Sequence, residues 1–141
     1  YGNMEKLTRG RLAKSSGVHP ETIRYYEQNG LLPIPARSES NYRLFDHDNI
    51  DRVHFIKRAQ SVGFSLDEIR LLLSLKYAED ATCEPVRQLA QEKLVELDQK
   101  IHALHAMKAL LEGLVEICPG GDEPADDCPI LEHLTSEHLN M

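Results

Sequence analysis

Three cysteines, Cys83, Cys118 and Cys128, are the residues of this chain best able to do chemistry. Thiolates are soft ligands that select ions such as Hg(II), Cd(II), Pb(II), Zn(II) or Cu(I) over Mg(II) or Ca(II). Cys118 and Cys128 bracket a Gly/Pro/Asp loop, Cys118-Pro119-Gly120-Gly121-Asp122-Glu123-Pro124-Ala125-Asp126-Asp127-Cys128, while the stretch from Glu84 to Ile117 reads as unbroken helix. At a rise of about 1.5 Å per residue, that helix holds Cys83 about 50 Å from the other two thiols. One chain cannot gather all three, but an antiparallel pair of such helices can. Each end of the pair would join Cys83 of the partner subunit to Cys118 and Cys128, making a soft-metal site shared across a homodimer. Three thiolates suit Hg(II) or Pb(II) and leave Zn(II) one ligand short of its tetrahedron. A fourth ligand from Glu123, Asp126, Asp127 or His133 would favour Cd(II) or Zn(II). Cys83 opens the helix, where the dipole favours a thiolate, and Cys118 ends it, where the dipole does not.

Composition sets the frame for that site. At 141 residues and 41% hydrophobic, the chain can bury one modest core or two small ones. No run approaches 18 apolar residues and the N-terminus is not apolar, so neither a membrane span nor a signal peptide is expected. An odd cysteine count in an unexported chain implies reduced thiols and a cytoplasmic protein. The seven histidines are scattered without a ligand-like cluster, and Met4 reads as the natural start. Residues 1–58 carry ten Lys/Arg against seven Asp/Glu, and the remainder six against sixteen, giving +3 and −10. A basic head on an acidic body fits nucleic-acid contact through the head.

The head must then supply the contact. Thr8 can cap a helix over Arg9–Ser16 whose apolar side is Leu12 and Ala13, with Gly17 ending it. Pro20 opens a second helix, to Asn29, that sets Glu21, Thr22, Arg24 and Tyr25 around a buried Ile23. Helix, short turn and polar second helix make a helix-turn-helix pattern, with His19 and Pro20 at the tip facing DNA. Prolines extend Leu31–Arg37, Ser38–Asn41 has turn chemistry, and Tyr42–Phe45 reads as a returning strand. A two-stranded wing would bring Arg37, Asn41, Tyr42 and Arg43 to the phosphate backbone. Asp46–Val62 is a further amphipathic helix closed by Gly63. Ser65-Leu66-Asp67-Glu68 is a capping box that starts another, to about Leu75.

Tyr77–Thr82 is a polar hinge before the long helix, which has Pro85 in its first turn. Ala90, Leu94, Leu97, Ile101, Leu104, Leu111 and Val115 follow steps of three and four, a coiled-coil seam broken only at Lys108. A seam on a single helix has nothing to cover it and calls for a partner. Beyond Cys128, a short terminal helix over Pro129–Leu139 carries Ile130, Leu131 and Leu134 on one side.

Thr22-Ile23-Arg24-Tyr25-Tyr26-Glu27 with Gly30-Leu31-Leu32, then Asn41-Tyr42-Arg43, then Gly63-Phe64-Ser65-Leu66-Asp67-Glu68-Ile69, resemble the MerR family of metal-responsive transcription regulators. The likeness runs from about Leu7 to Leu134. It implies a homodimer with winged helix-turn-helix heads, an antiparallel coiled coil and a metal loop at each end. It further implies promoter DNA and RNA polymerase as partners, with activation by distortion of an overlong promoter spacer. Cu, Ag and Au sensors of the family have Ser where this chain has Cys83, so the resemblance implies a divalent effector: Hg, Pb, Cd or Zn. The family's zinc sensor carries a Cys after the first loop cysteine and a His within the loop, where this chain has Pro119 and no His. The iron–sulfur branch needs four closely spaced cysteines.

The expected fold is mainly α. A winged helix-turn-helix head spans 4–76, a hinge and dimerisation helix 77–117, and a metal loop with a C-terminal helix 118–141. The expected function is regulation of a heavy-metal resistance promoter, without catalysis. A soft-metal buffer or chaperone, or a monovalent Cu/Ag/Au sensor of the same family, is the alternative, and a buffer would have no use for the head.

Overall fold

The computed structural model describes residues 6–33 and 44–136. The expected wing residues Arg37, Asn41, Tyr42 and Arg43 lie outside the described residues. The chain divides into two compact units, Tyr1–Lys93 and Leu94–Met141. The described elements are α1 (Arg9–Ser16), α2 (Pro20–Gln28), α3 (Asp48–Ser61), α4 (Leu66–Lys76), α5 (Glu84–Ile117), a 3-10 turn (Ala125–Asp127) and α6 (Pro129–Thr135). The fold is mainly helical, with no named strand among the described residues.

In the first unit the ends of α1, α2 and α4 carry recognisable start or stop chemistry. The Thr8 hydroxyl accepts from the Arg11 N–H, and Gly17 ends α1 in the left-handed region at φ 74°. Pro20 occupies the first position of α2, whose missing N–H has no helical partner in any case. Ser65 and Glu68 form the full capping box of α4: the Ser65 N–H donates to Glu68 Oε1 at 2.7 Å and the Glu68 N–H to Ser65 Oγ at 3.2 Å. These helices enclose one apolar core, with Leu12, Ile23, Leu31, Phe45, Val53, Ile56 and Ile69 fully buried.

Phe45, at the end of the expected strand, makes an isolated antiparallel bridge with Leu7. Leu7 N–H donates to the Phe45 carbonyl at 2.7 Å and Phe45 N–H to the Leu7 carbonyl at 2.6 Å. The segment entering α1 is therefore clipped to the segment leaving the wing region. Leu7 was not part of any expected pairing.

In the second unit Leu114 and Ile117 at the end of α5 and Pro129 and His133 of α6 line one hollow. Leu114 is buried there, whereas Leu131 and Leu134 stay exposed. Ile130, of the same expected apolar side, is half-buried. The expected helix residues 137–139 lie outside the described residues.

Candidate DNA face and thiol pair

The polar side of α2 is free because its other side is anchored. Ile23 is fully buried and Tyr26 nearly so. The Tyr26 hydroxyl donates to Gln60 Oε1 on α3 at 2.8 Å. Burial, then the neighbouring Tyr25, push that phenol above its ordinary range. Glu27, also buried, accepts from Arg9 Nε at 3.0 Å, joining α2 to α1. With those residues turned inward, His19, Pro20, Glu21, Arg24 and Tyr25 are exposed and Thr22 is half-buried. The structure thus brings this set together on one outward surface. The spacing of α2 hinted at Ile23 but not at the anchoring roles of Tyr26 and Glu27. Their partners lie 34 and 18 residues away, beyond any local pattern.

The junction of α4 with the start of α5 is built on a second acid. Glu68 Oε1 pairs with Lys93 Nζ at 3.0 Å, and Lys93 is buried at 6% exposure. The same ammonium lies 5.8 Å from the Phe64 ring centroid, within cation–π range. The Ser65 N–H first, and the Lys93 ammonium next, hold the Glu68 carboxyl below the usual range. One carboxylate therefore caps α4 and fastens α5 to it. The capping box is legible in sequence, but the ammonium that completes it is not.

At the other end of the chain, the Cys118 N–H bonds the Leu114 carbonyl at 3.1 Å, so the thiol stands where α5 stops. Gly120 and Gly121, at φ 67° and 59°, both take the left-handed conformation that turns the loop back. The Cys128 N–H bonds the Ala125 carbonyl at 3.0 Å, and the Cys128 carbonyl accepts from the Glu132 N–H at 3.0 Å. Cys128 is therefore the residue that caps α6. The loop brings the two sulfurs to 3.9 Å. The Leu131 N–H is the main influence holding the Cys128 thiol below its usual range. Burial opposes it, and the Ile130 N–H and the Cys118 thiol add to it. Pro129, directly after Cys128, was the available sign that this cysteine opens a helix.

Cys83 is exposed, and its carbonyl accepts from the Arg87 N–H at 2.9 Å, which places it at the leading edge of α5. Glu123, Asp126 and Asp127 are exposed on the loop. His133 Nε2 is closed off from solvent with no hydrogen-bond partner among the described residues. No three His, Cys, Asp or Glu side chains converge on one point among the described residues.

A helix-turn-helix head followed by a long helix is the architecture of a DNA-binding regulator. Comparison with known proteins agrees. The family model for MerR HTH family regulatory proteins matches residues 7–76, and that for the MerR DNA-binding region matches residues 50–114. The mercuric resistance operon regulatory protein of Bacillus cereus is 40% identical over 129 residues, covering 92% of this chain and 97% of its own. Heavy metal-dependent transcription regulator 2 of Rhizobium meliloti is 38% identical, covering 94% and 90%. Among solved structures, the transcription regulator PbrR691 from Ralstonia metallidurans in complex with lead(II) superposes with TM-score 0.80 at 35% identity, covering 91% of this chain and 98% of that one. The chain belongs to the MerR family of helix-turn-helix transcription regulators and stands with its metal-responsive members; it is a regulator and not an enzyme. Among the described residues, no helix is long and apolar enough to cross a membrane.

Proposed function

We propose that this chain acts in the cytoplasm as a homodimer that senses a divalent soft ion, one of Hg(II), Pb(II), Cd(II) or Zn(II), and regulates a heavy-metal resistance promoter. Cys118 and Cys128 of one subunit would hold the ion with Cys83 of the partner subunit. The observation that carries this reading is the 3.9 Å between the loop sulfurs. With metal–sulfur bonds of about 2.3 Å, two sulfurs lie about 3.8 Å apart on a tetrahedral ion, about 4.0 Å on a trigonal one and about 4.6 Å on a linear one. The spacing lets both loop thiols ligate one ion together, and Cys83 of the partner subunit would add the third thiolate that suits a divalent ion.

Dimerisation is supported by the α5 seam. Leu94, Ile101, Leu104, Leu111 and Val115 are each more than half exposed in the single chain. A run of apolar residues at heptad spacing is stable in water only when a partner covers it. DNA contact would fall to His19, Pro20, Glu21, Thr22, Arg24 and Tyr25 on α2, with Arg37, Asn41, Tyr42 and Arg43 on the wing.

The ion supplies only charge neutralisation and coordination. The chain does the rest: the thiolate-bearing loop becomes ordered against the partner's hinge at Cys83. That hinge leads through α4 to the head, so the two heads would change their mutual angle on two half-sites. Bending or untwisting DNA in this way costs on the order of 1–6 kcal/mol, and RNA polymerase would read the distorted promoter.

Complementation tests the shared site. A Cys83→Ser homodimer and a Cys118→Ser/Cys128→Ser homodimer should each lose tight divalent binding. Their heterodimer should regain one site, with affinity near that of wild type. Wild-type divalent affinity in the Cys83→Ser homodimer would overturn both the shared geometry and the divalent assignment.

A further inference from the structure

The Cys118 and Cys128 sulfurs are 3.9 Å apart across a loop whose two ends are the last turn of α5 and the first of α6. A disulfide requires a sulfur separation of about 2.0 Å, so each sulfur would have to move by only about 1 Å. The backbone between them can give: Gly120 and Gly121 are exposed, and a Cβ at either would meet nothing within 4 Å. Both sulfurs are half-buried rather than sealed, so a small oxidant can reach them. Cys83, by contrast, is an exposed thiol on the other compact unit.

We propose that the Cys118–Cys128 pair is an oxidation site, closed to an intramolecular disulfide by hydroperoxides, which makes the regulator blind to metal until it is reduced. In the first step one thiolate attacks a peroxide oxygen of hydrogen peroxide. The O–O bond breaks, a sulfenic acid forms and hydroxide leaves, taking a proton from solvent to become water. In the second step the other thiol attacks the sulfenic sulfur, the S–O bond breaks, the S–S bond forms and a second water leaves. Two electrons pass from the two sulfurs to the peroxide. The oxidised loop has no thiolate to offer, and the remaining Cys83 cannot by itself complete a three-sulfur site. This consequence for metal sensing rests on the function proposed above; the disulfide itself does not.

The test uses the reduced, metal-free full chain and hydrogen peroxide. The three free thiols per chain should fall to one in a colorimetric thiol count. The tryptic peptide that begins at Ala109 contains both loop cysteines, because no Lys or Arg follows Lys108. It should become two hydrogens lighter and return to its original mass with dithiothreitol. Retention of all three thiols under peroxide that oxidises free dithiothreitol would overturn the proposal. So would covalent dimers through Cys83, or a peptide that gains two or more oxygens. A parallel sample preloaded with Cd(II) should resist closure. If it closes as fast as the metal-free protein, the metal reading falls and the disulfide stands.

Discussion

Arg9 Nε donates to Glu27 Oε1 at 3.0 Å, so the first helix of the head holds the buried end of the recognition helix by its carboxylate. Tyr26, one residue earlier, fastens the same turn to α3 through Gln60. Two consecutive residues thus fix how α2 is rotated about its axis, and with it which side chains face outward. The outward exposure of Arg24 and Tyr25 is a consequence of what Tyr26 and Glu27 are tied to.

Removing that carboxylate should loosen the head as a whole. Hydrogen bonds to charged groups contribute about 1.5–3 kcal/mol, and Glu27→Ala should lower stability by about that much in urea unfolding. An unchanged urea midpoint would show that the Arg9 contact contributes nothing.

Arg24→Ala should leave stability near wild type, since Arg24 is exposed, and both Arg24→Ala and Arg43→Ala should weaken DNA binding. An arginine on a phosphate acts on all sequences alike and lowers the salt slope of binding by about one. Arg43→Ala that binds both promoter and random DNA with affinity and salt slope unchanged from wild type would remove the wing from the interface.

Ile101→Asp places a carboxylate in the middle of the α5 seam, where Ile101 is 51% exposed in the single chain. Sedimentation should show the variant as a monomer, and operator binding should be lost with the dimer. A metal-free wild-type protein that already sediments as a monomer would end the cross-subunit account.

Glu68 gives a pH signature. Its folded carboxyl is held below the usual range by the Ser65 N–H and then by Lys93. Its contribution is therefore present above the unfolded carboxylate range and is lost as pH falls through the lowered folded value. Glu68→Gln keeps an acceptor for the Ser65 N–H but not the ion pair, so it should be less stable than wild type near neutrality. The gap should close as pH drops below about 4, near and under the ordinary glutamate value. A stability difference that stays constant from pH 7 to pH 3 would refute the role of the Lys93 ammonium.

Local chemistry was readable from the chain and distant pairing was not. Thr8, Gly17, Pro20 and the Ser65–Glu68 box declare helix ends, because each satisfies or removes a backbone group within four residues. Ile23 and the α5 seam show their faces by spacing. The Tyr26–Gln60, Arg9–Glu27 and Glu68–Lys93 pairs need the fold before either partner can be recognised. In the thiol loop the residue types gave the chemistry of Cys118 and Cys128. The Leu131 N–H faces Cys128 because that cysteine caps α6, which spacing alone does not show.

The Glu68–Lys93 pair sets how much of α5 a separate head must keep. A head excised at Lys76 would strand the Glu68 carboxylate without its ammonium and leave Phe64 without the cation over its ring. A head carried through Lys93 keeps both, together with the first turns of α5, and is the better fragment to express. The same junction is a natural crossover for chimeras. Replacing everything after Lys93 with the corresponding half of a relative would exchange Cys118, Cys128 and most of the seam. It would leave Cys83 and the recognition surface behind. Such a hybrid should keep this chain's operator while inheriting most of the donor's ion preference, with Cys83 as the one ligand it still contributes from its own side.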